Sequence, residues 1–313
     1  MIMRRLLLAV FTIALMVQAH AELPDKTTAA GDSITMGFGA DCTGNVWFWD
    51  LFCLLGGDQP EHSWFDGWDR DVNSVHDRYK VLDANIAANK NAAASGSEMR
   101  GGNNNFATQT ANIAAQVPVP DHVEVLLGGN DICNRDCTNP ANCSNPLYSD
   151  SQWRQSVQAG LDTLMNSMPT GGTVYIGGVP RIQDLRPAGL DKQSGSWGIN
   201  CENIWNSFDV CSIATSGSVM NGETISQRRA AISDKQKRYN EILAEEAVAY
   251  NSNANGKNPR GIEVVADYQG EGVASVGTTP FGKNDIDGGD CFHPSVRGQN
   301  ILSDVMWSNN PDK

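Results

Sequence analysis

The sequence predicts an α/β fold: a mostly parallel sheet with helices on both faces. Three observations predict it. The apolar runs HVEVLLGGND (122–131), GGTVYIGGVP (171–180) and RGIEVVADYQ (260–269) are rich in Val and Ile and close on glycines or polar turns, as buried strands do. Amphipathic stretches of helical length lie between and after them. Strands that alternate with helices imply parallel pairing through helical crossovers.

Taken in order, the chain begins with MIMRRLLLAVFTIALMVQAHAELPDK, a basic start, an apolar segment and an Ala19-His20-Ala21 finish. This is the pattern of a secretory signal peptide over residues 1–21, cleaved after Ala21, and it implies a secreted or periplasmic protein. The apolar stretch is short for a membrane span, so no transmembrane segment is expected in the mature chain. Residues 22–313, about 290 in all, suffice for one large domain. DKTTAA is the candidate first strand, although it is less apolar than a buried leading strand should be. Turn-rich and polar stretches near 42–80 and 188–222 read as loop insertions over the scaffold. SQWRQSVQAGLDTLMNSM (151–168) puts Trp153, Val157, Leu161, Leu164 and Met168 on one helical stripe. The stretch 225–251 does the same with Ile225, Ile232, Tyr239, Ile242 and Leu243. In HPSVRGQNILSDVMW, Pro294 suits a first helical turn, and Val296, Ile301, Leu302 and Val305 suit a sheet-facing side.

The formal net charge is −13, and it becomes −15 without the two arginines of the signal. So acidic a chain has no electrostatic basis for binding nucleic acid and no strong attraction to anionic bilayers. All eight cysteines (42, 53, 133, 137, 143, 201, 211 and 291) follow the signal. An even number in an exported chain favours disulfides over zinc, since Cys133, Cys137 and Cys143 lack close Cys-x-x-Cys pairs and a local histidine. Proximity suggests Cys42 with Cys53, Cys201 with Cys211, and Cys133 with Cys137 or Cys143. Cys291 is expected to staple its own loop.

Candidate chemistry lies in four short blocks. In AAGDSITMGFG (29–39), Ser33 taken alone reads first as a turn residue and second as a nucleophile. In GGDCFHPSVRG, Asp290 precedes His293 by three residues, which lets a carboxylate fix the imidazole tautomer and leaves the other nitrogen to take a proton. In LLGGND, Asn130 follows an apolar strand and two glycines; its amide either donates to a developing oxyanion or caps a turn. In NAAASGSEMRGG, Gly96 offers a backbone N–H. His62, His76 and His122 are assigned structural or surface roles. The Rossmann, Walker, His-Glu-x-x-His and Gly-x-Ser-x-Gly signatures are absent from the sequence.

Together, GDSIT, ASGS, GGND and DCFH resemble the ordered blocks of the SGNH, or GDSL, hydrolase family over nearly all of the mature chain. GGNDIC and DCFHPSVRG are also similar to its phospholipase B-like branch. The resemblance implies a three-layer α/β/α sandwich of flavodoxin-like type. It implies Ser33 as nucleophile, His293 as general base and Asp290 as its orienting acid. The N–H groups of Ser33 and Gly96 and the side chain of Asn130 become the oxyanion donors. The reaction expected is hydrolysis of a carboxylic ester through an acyl-enzyme, with no metal or organic cofactor. NDIDGGD (284–290) reads as an exposed acidic turn, since it does not match the twelve-residue calcium loop. NVWFWDLFCLL (45–55) and HSWFDGW (62–68) concentrate Trp47, Phe48, Trp49, Phe52, Trp64, Phe65 and Trp68. They suit either the core of an insertion or an acyl-binding wall that makes transient contact with a lipid surface. The expected substrate is therefore a small-molecule or lipid ester, with a carbohydrate O-acetyl ester as the alternative.

Overall fold

The computed structural model describes residues 23–42, 57–88, 90–196, 198–254 and 256–313. The signal segment and Trp47, Phe48, Trp49, Phe52 and Cys53 lie outside the described residues. Five strands, β1 (Lys26–Gly31), β2 (Ala87–Ala88), β3 (His122–Leu126), β4 (Thr173–Ile176) and β5 (Glu263–Ala266), form one sheet in the order β2-β1-β3-β4-β5. Every pairing is parallel, with Gly31 opposite Leu126 and Ile176 opposite Ala266. The helices are α1 (Val75–Leu82), α2 (Phe106–Ala114), α3 (Gly129–Cys133), α4 (Asp150–Ser167), α5 (Leu185–Gly195), α6 (Cys201–Phe208), α7 (Ser212–Thr215), α8 (Ile225–Asn251) and α9 (Val296–Asn309).

Strand alternation sorts the side chains into two cores. Ala30, Val123, Val125, Val174 and Ile176 pack with α2, α4 and α8 on one face. Ala29, Leu126 and Tyr175 pack with α1 and α9 on the other, so the fold is a three-layer α/β/α sandwich. The stripe Trp153, Val157, Leu161, Leu164 and Met168 is fully buried, as its spacing requires. Each such side chain contributes roughly 1.5–3 kcal/mol of transfer free energy. α4 and α8 both open on capping boxes, Ser149 with Gln152 and Thr224 with Gln227. α9 begins at Val296 behind a Ser295 cap, so Pro294 stands before the helix and not in its first turn. Among the described residues, no helix is long and apolar enough to cross a membrane.

β1 is buried despite its weak apolar character because its polar groups are partnered. The hydroxyls of Thr27 and Thr28 bond His76 Nδ1 (3.1 Å) and the Lys90 carbonyl (3.0 Å). Gln109 of α2 accepts the Gly31 N–H and donates to the Gly31 carbonyl, at 2.7 and 2.8 Å, which pins the strand's end. The stretch expected as a loop over 188–222 contains α6, α7 and most of α5. Buried Trp205 and Ile213 anchor it, and buried Arg228 collects the carbonyls of Ile213, Ser216, Ser218 and Glu223.

His122 is structural. Its ring lies buried between Asp312 (2.7 Å) and Glu124 (3.2 Å), at the start of β3. Burial opposes its protonation, but the two carboxylates outweigh burial and lift the imidazole to about 9. The folded value exceeds the unfolded one, so this contribution to stability is complete below about pH 6.5 and is lost as pH rises through about 9. The free energy of unfolding should therefore fall between about pH 7 and 9.5, measured by urea titration. His122→Gln, less stable at neutral pH, should lose that slope; an unchanged slope would assign it to other groups.

Candidate active site

The sheet brings the sequence blocks together at the carboxyl ends of its central strands, where open α/β sheets place their ligands. Ser33 lies two residues beyond β1, Asn130 lies in the first turn of α3 beyond β3, and His293 lies just before α9. His293 Nε2 is 2.7 Å from Ser33 Oγ, and Nδ1 is 2.5 Å from Asp290 Oδ2. The three-residue spacing is realised as a tight loop in which Asp290 Oδ1 accepts the N–H groups of Phe292 (2.8 Å) and His293 (2.9 Å). Burial alone would raise the Asp290 carboxyl. The His293 charge and hydrogen bonds from Asp287 and His293 outweigh it and hold the carboxyl well below the usual carboxylate range. An ionised Asp290 assigns the Nδ1 proton to His293 and leaves Nε2 free to accept from Ser33.

Gly96 and Asn130 face the same space. Gly128 enters α3 at φ +119°, where a Cβ would strike Val179 and Trp153, so only glycine can make this approach. Asn130 Nδ2 donates one hydrogen to the Ser97 carbonyl (3.0 Å), which leaves the second for a ligand. Neighbouring Asp131 accepts the N–H groups of Met99 (2.6 Å) and Arg100 (3.0 Å), tying α3 to the segment that carries Gly96. Burial, reinforced by Glu98, pushes the Asp131 carboxyl up to about 7 against those hydrogen bonds. Burial likewise raises Asp32 to about 6, against the Ile34 N–H and the His293 charge. Among the described residues, the Ser33 and Gly96 N–H groups have no protein acceptor.

A cavity of about 330 Å³ opens over these groups. Its walls are Phe38, Phe208, Val210, Phe292 and the Cys133–Cys211 disulfide. The Phe38 and Phe292 rings stand 4.6 and 4.9 Å from the His293 ring and shelter it. The aromatic wall expected from HSWFDGW is elsewhere. Trp64 and Phe65 are buried in the core between the sheet, α1 and α9, and Trp68 is 67% exposed. Of the cavity wall, Phe38, Cys133 and Phe292 fall inside the blocks AAGDSITMGFG, GGNDIC and DCFH. Phe208 and Val210 fall in a polar stretch, and only the fold brings them to the site.

The disulfides also differ from expectation. Cys133 pairs with Cys211, Cys201 with Cys291, and Cys137 with Cys143, which replaces the Cys201–Cys211 and Cys133–Cys137 or Cys133–Cys143 pairings. Cys42 is disulfide-bonded, and its expected partner Cys53 lies outside the described residues. Bridges across 78 and 90 residues were set by tertiary neighbours, which sequence proximity does not report. Of the 284–290 turn, Asn284 is exposed but residues 285–290, with Asp285, Asp287 and Asp290, are buried. Oxygen and nitrogen ligand atoms of Asp287, Asp290 and His293 fall within 4.8 Å of one another, the one such group among the described residues with metal-ligating spacing. Here, however, His293 is already committed to Ser33 and Asp290.

A family model described as GDSL-like Lipase/Acylhydrolase matches residues 28–306, and the chain belongs to that family. The match does not single out a phospholipase B-like branch. No curated protein matches. Among solved structures, the chain is similar to a protein from Lactobacillus plantarum (13% identity, 92% of this chain and 97% of that one, TM-score 0.40). It is also similar to an active-site mutant of a family two carbohydrate esterase from Clostridium thermocellum (12% identity, TM-score 0.43). The alignment there spans 92% of this chain and 63% of that one.

The Cys201–Cys291 bridge joins α6 to the residue after Asp290, and Trp205 Nε1 of α6 donates to the Asp290 carbonyl (3.1 Å). A Cys201→Ser/Cys291→Ser double variant should lose about 2–4 kcal/mol of stability in denaturant titration. Its kcat on an ester should fall because the loop that carries Asp290 is loosened, and its KM should rise with it because Phe292 of the cavity wall lies on that loop. Unchanged kcat would mean that Trp205 alone holds the loop.

Proposed function

We propose that this chain is a serine hydrolase of carboxylic esters, exported to a secreted or periplasmic location after removal of residues 1–21. The observation that carries the reading is the unbroken hydrogen-bond chain from Ser33 through His293 to Asp290. Ser33 Oγ attacks the ester carbonyl as its proton passes to His293 Nε2. The N–H groups of Ser33 and Gly96 and the free amide hydrogen of Asn130 receive the oxyanion. His293 then protonates the leaving alcohol. In the second half, the same imidazole takes a proton from water, which attacks the acyl-enzyme and releases the acid and Ser33.

The cavity bears on the substrate. At about 330 Å³ it lies at the small end of ligand sites, and its walls are apolar. It suits a short or medium acyl chain, with the alcohol portion outside at the mouth. Phe208, 56% exposed at that mouth, offers a flat apolar face to the alcohol. Such a face suits a sugar ring, and this favours a carbohydrate O-acetyl ester as the second reading. A long-chain lipid needs more apolar wall, and among the described residues only Trp68 of the aromatic-rich stretches is exposed as an anchor.

An organophosphorus ester probe should label Ser33 alone, and Ser33→Ala should abolish turnover with the fold intact. Asn130→Ala should lower kcat on the order of 10²-fold with little change in KM. Across an acyl series, turnover should peak between acetyl and hexanoyl esters. Preferential release of fatty acid from phosphatidylcholine or lysophosphatidylcholine would overturn the short-acyl assignment, and preference for acetylated xylan would select the carbohydrate reading. Labelling at another serine, with Ser33→Ala active, would overturn the mechanism.

A further inference from the structure

A second buried carboxyl stands behind the acid loop with no role in the chemistry above. Asp287 is 1% exposed. Its Oδ1 accepts the N–H groups of Gly289 (2.6 Å) and Asp290 (2.8 Å). Its Oδ2 is buried and meets no donor. Ligand atoms of Asp287, Asp290 and His293 lie within 4.8 Å of one another. Two ionised carboxylates so placed repel each other, and an ionised Oδ2 here would stay unsatisfied. One proton on Oδ2 removes both penalties.

We propose that Asp287 is a neutral carboxylic acid whose Oδ2–H donates to the Asp290 carboxylate, making it a positioning residue for the Ser33–His293–Asp290 chain. This rests on the esterase reading above. Burial, then the Asp290 charge, drives the Asp287 carboxyl well above the usual range, while Asp290 moves the opposite way. Separation of two neighbouring carboxyls in this manner divides their roles, one donating and one ionised. The other charged groups nearby are Asp285 on the same loop and Lys192 of α5. The Lys192 ammonium is spent on the carbonyls of Lys283 and Ile286. Gly39 approaches from the nucleophile's turn without charge. The added hydrogen bond fixes the plane of the Asp290 carboxylate, and through it the direction of the His293 ring towards Ser33. It also keeps Asp290 ionised beside the imidazolium that forms when Ser33 gives up its proton.

Asp287→Asn preserves the acceptor for the two N–H groups and supplies an N–H to Asp290. It should keep kcat within about threefold of wild type, with the acid limb of the pH–rate profile unmoved. Asp287→Ala should lower kcat roughly 10- to 100-fold at unchanged KM, the effect of removing a hydrogen bond to a charged group. The downfield proton resonance of the His293–Asp290 hydrogen bond should persist in Asp287→Asn and be displaced in Asp287→Ala, which reports on positioning even if the alanine variant is less stable. An acid limb that moves to lower pH in Asp287→Asn would mean that Asp287 is ionised in the wild type, and overturns the proposal. Activity that EDTA removes and calcium restores would also overturn it, since the carboxyl pair would then hold a cation. Probe labelling of Ser33 in the wild type separates these failures from failure of the esterase reading itself.

Discussion

The hydrogen bond between Ser33 and His293 spans 260 positions of sequence and 2.7 Å of space. Proton transfer along it tolerates little displacement, so the two turns that carry these residues must be held in one register. Backbone bonds stitch them directly: Gly288 N–H donates to the Cys42 carbonyl (3.0 Å) and Val296 N–H to the Ala40 carbonyl (2.9 Å). Buried Gln299 of α9 adds a second tie. It donates to the Ile34 carbonyl (2.9 Å) and accepts the Trp64 N–H (3.0 Å). Gln109 does the same for the end of β1 from the opposite layer. The turn that carries Ser33 is thus clamped between the two helical layers by two buried glutamines, each using donor and acceptor at once.

The helical stretch α5–α7 performs the matching task from above. It bridges the two arms of the site through one disulfide on each side, Cys133–Cys211 at the end of α3 and Cys201–Cys291 within the acid loop. Long bridges of this kind remove much conformational freedom from the unfolded chain, on the chain-entropy account of their effect. The same stretch delivers Phe208 and Val210 to the cavity. The cavity wall and the Ser33–His293–Asp290 spacing are therefore one mechanical unit, joined through Trp205 to the loop that carries Asp290.

What the sequence disclosed follows from how local each signal is. Ser33, Asn130, Asp290 and His293 were legible because each sits in a short block whose neighbours are dictated by its turn, and the three-residue Asp–His spacing is itself a local geometry. The central strands and the helices α4 and α8 were legible because burial on a fixed face imposes a period. β1 was poorly legible because its burial depends on partners, His76 and Gln109, that lie far along the chain. The disulfide pairing and the cavity wall depend on which surfaces the crossovers bring together. The buried state of 284–290 was hidden for another reason. Acidic residues at that density ordinarily read as solvated, and it is backbone N–H groups, Arg297 against Asp285 and His293 against Asp290 that make their burial tolerable.

That burial has an electrostatic consequence at the site. Asp32, Asp131 and Asp287 each adjoin a residue of the site, and burial raises all three, while Asp290 alone among them is lowered overall. The difference lies in partners. Asp32 and Asp131 accept backbone N–H groups, which offset part of the desolvation cost, whereas Asp290 is in addition hydrogen-bonded directly to the His293 ring. Negative charge is thereby concentrated beside the His293 ring. It is withdrawn in part from Asp32 and Asp131, beside the positions where an oxyanion would develop, and an oxyanion is stabilised by oriented donors only if like charge nearby does not cancel them. In a chain of formal net charge −13, the surface can carry its acids in water, but the site cannot. The raised carboxyls follow from burying the turns that carry Ser33, Asn130 and Asp290 inside the same acidic protein.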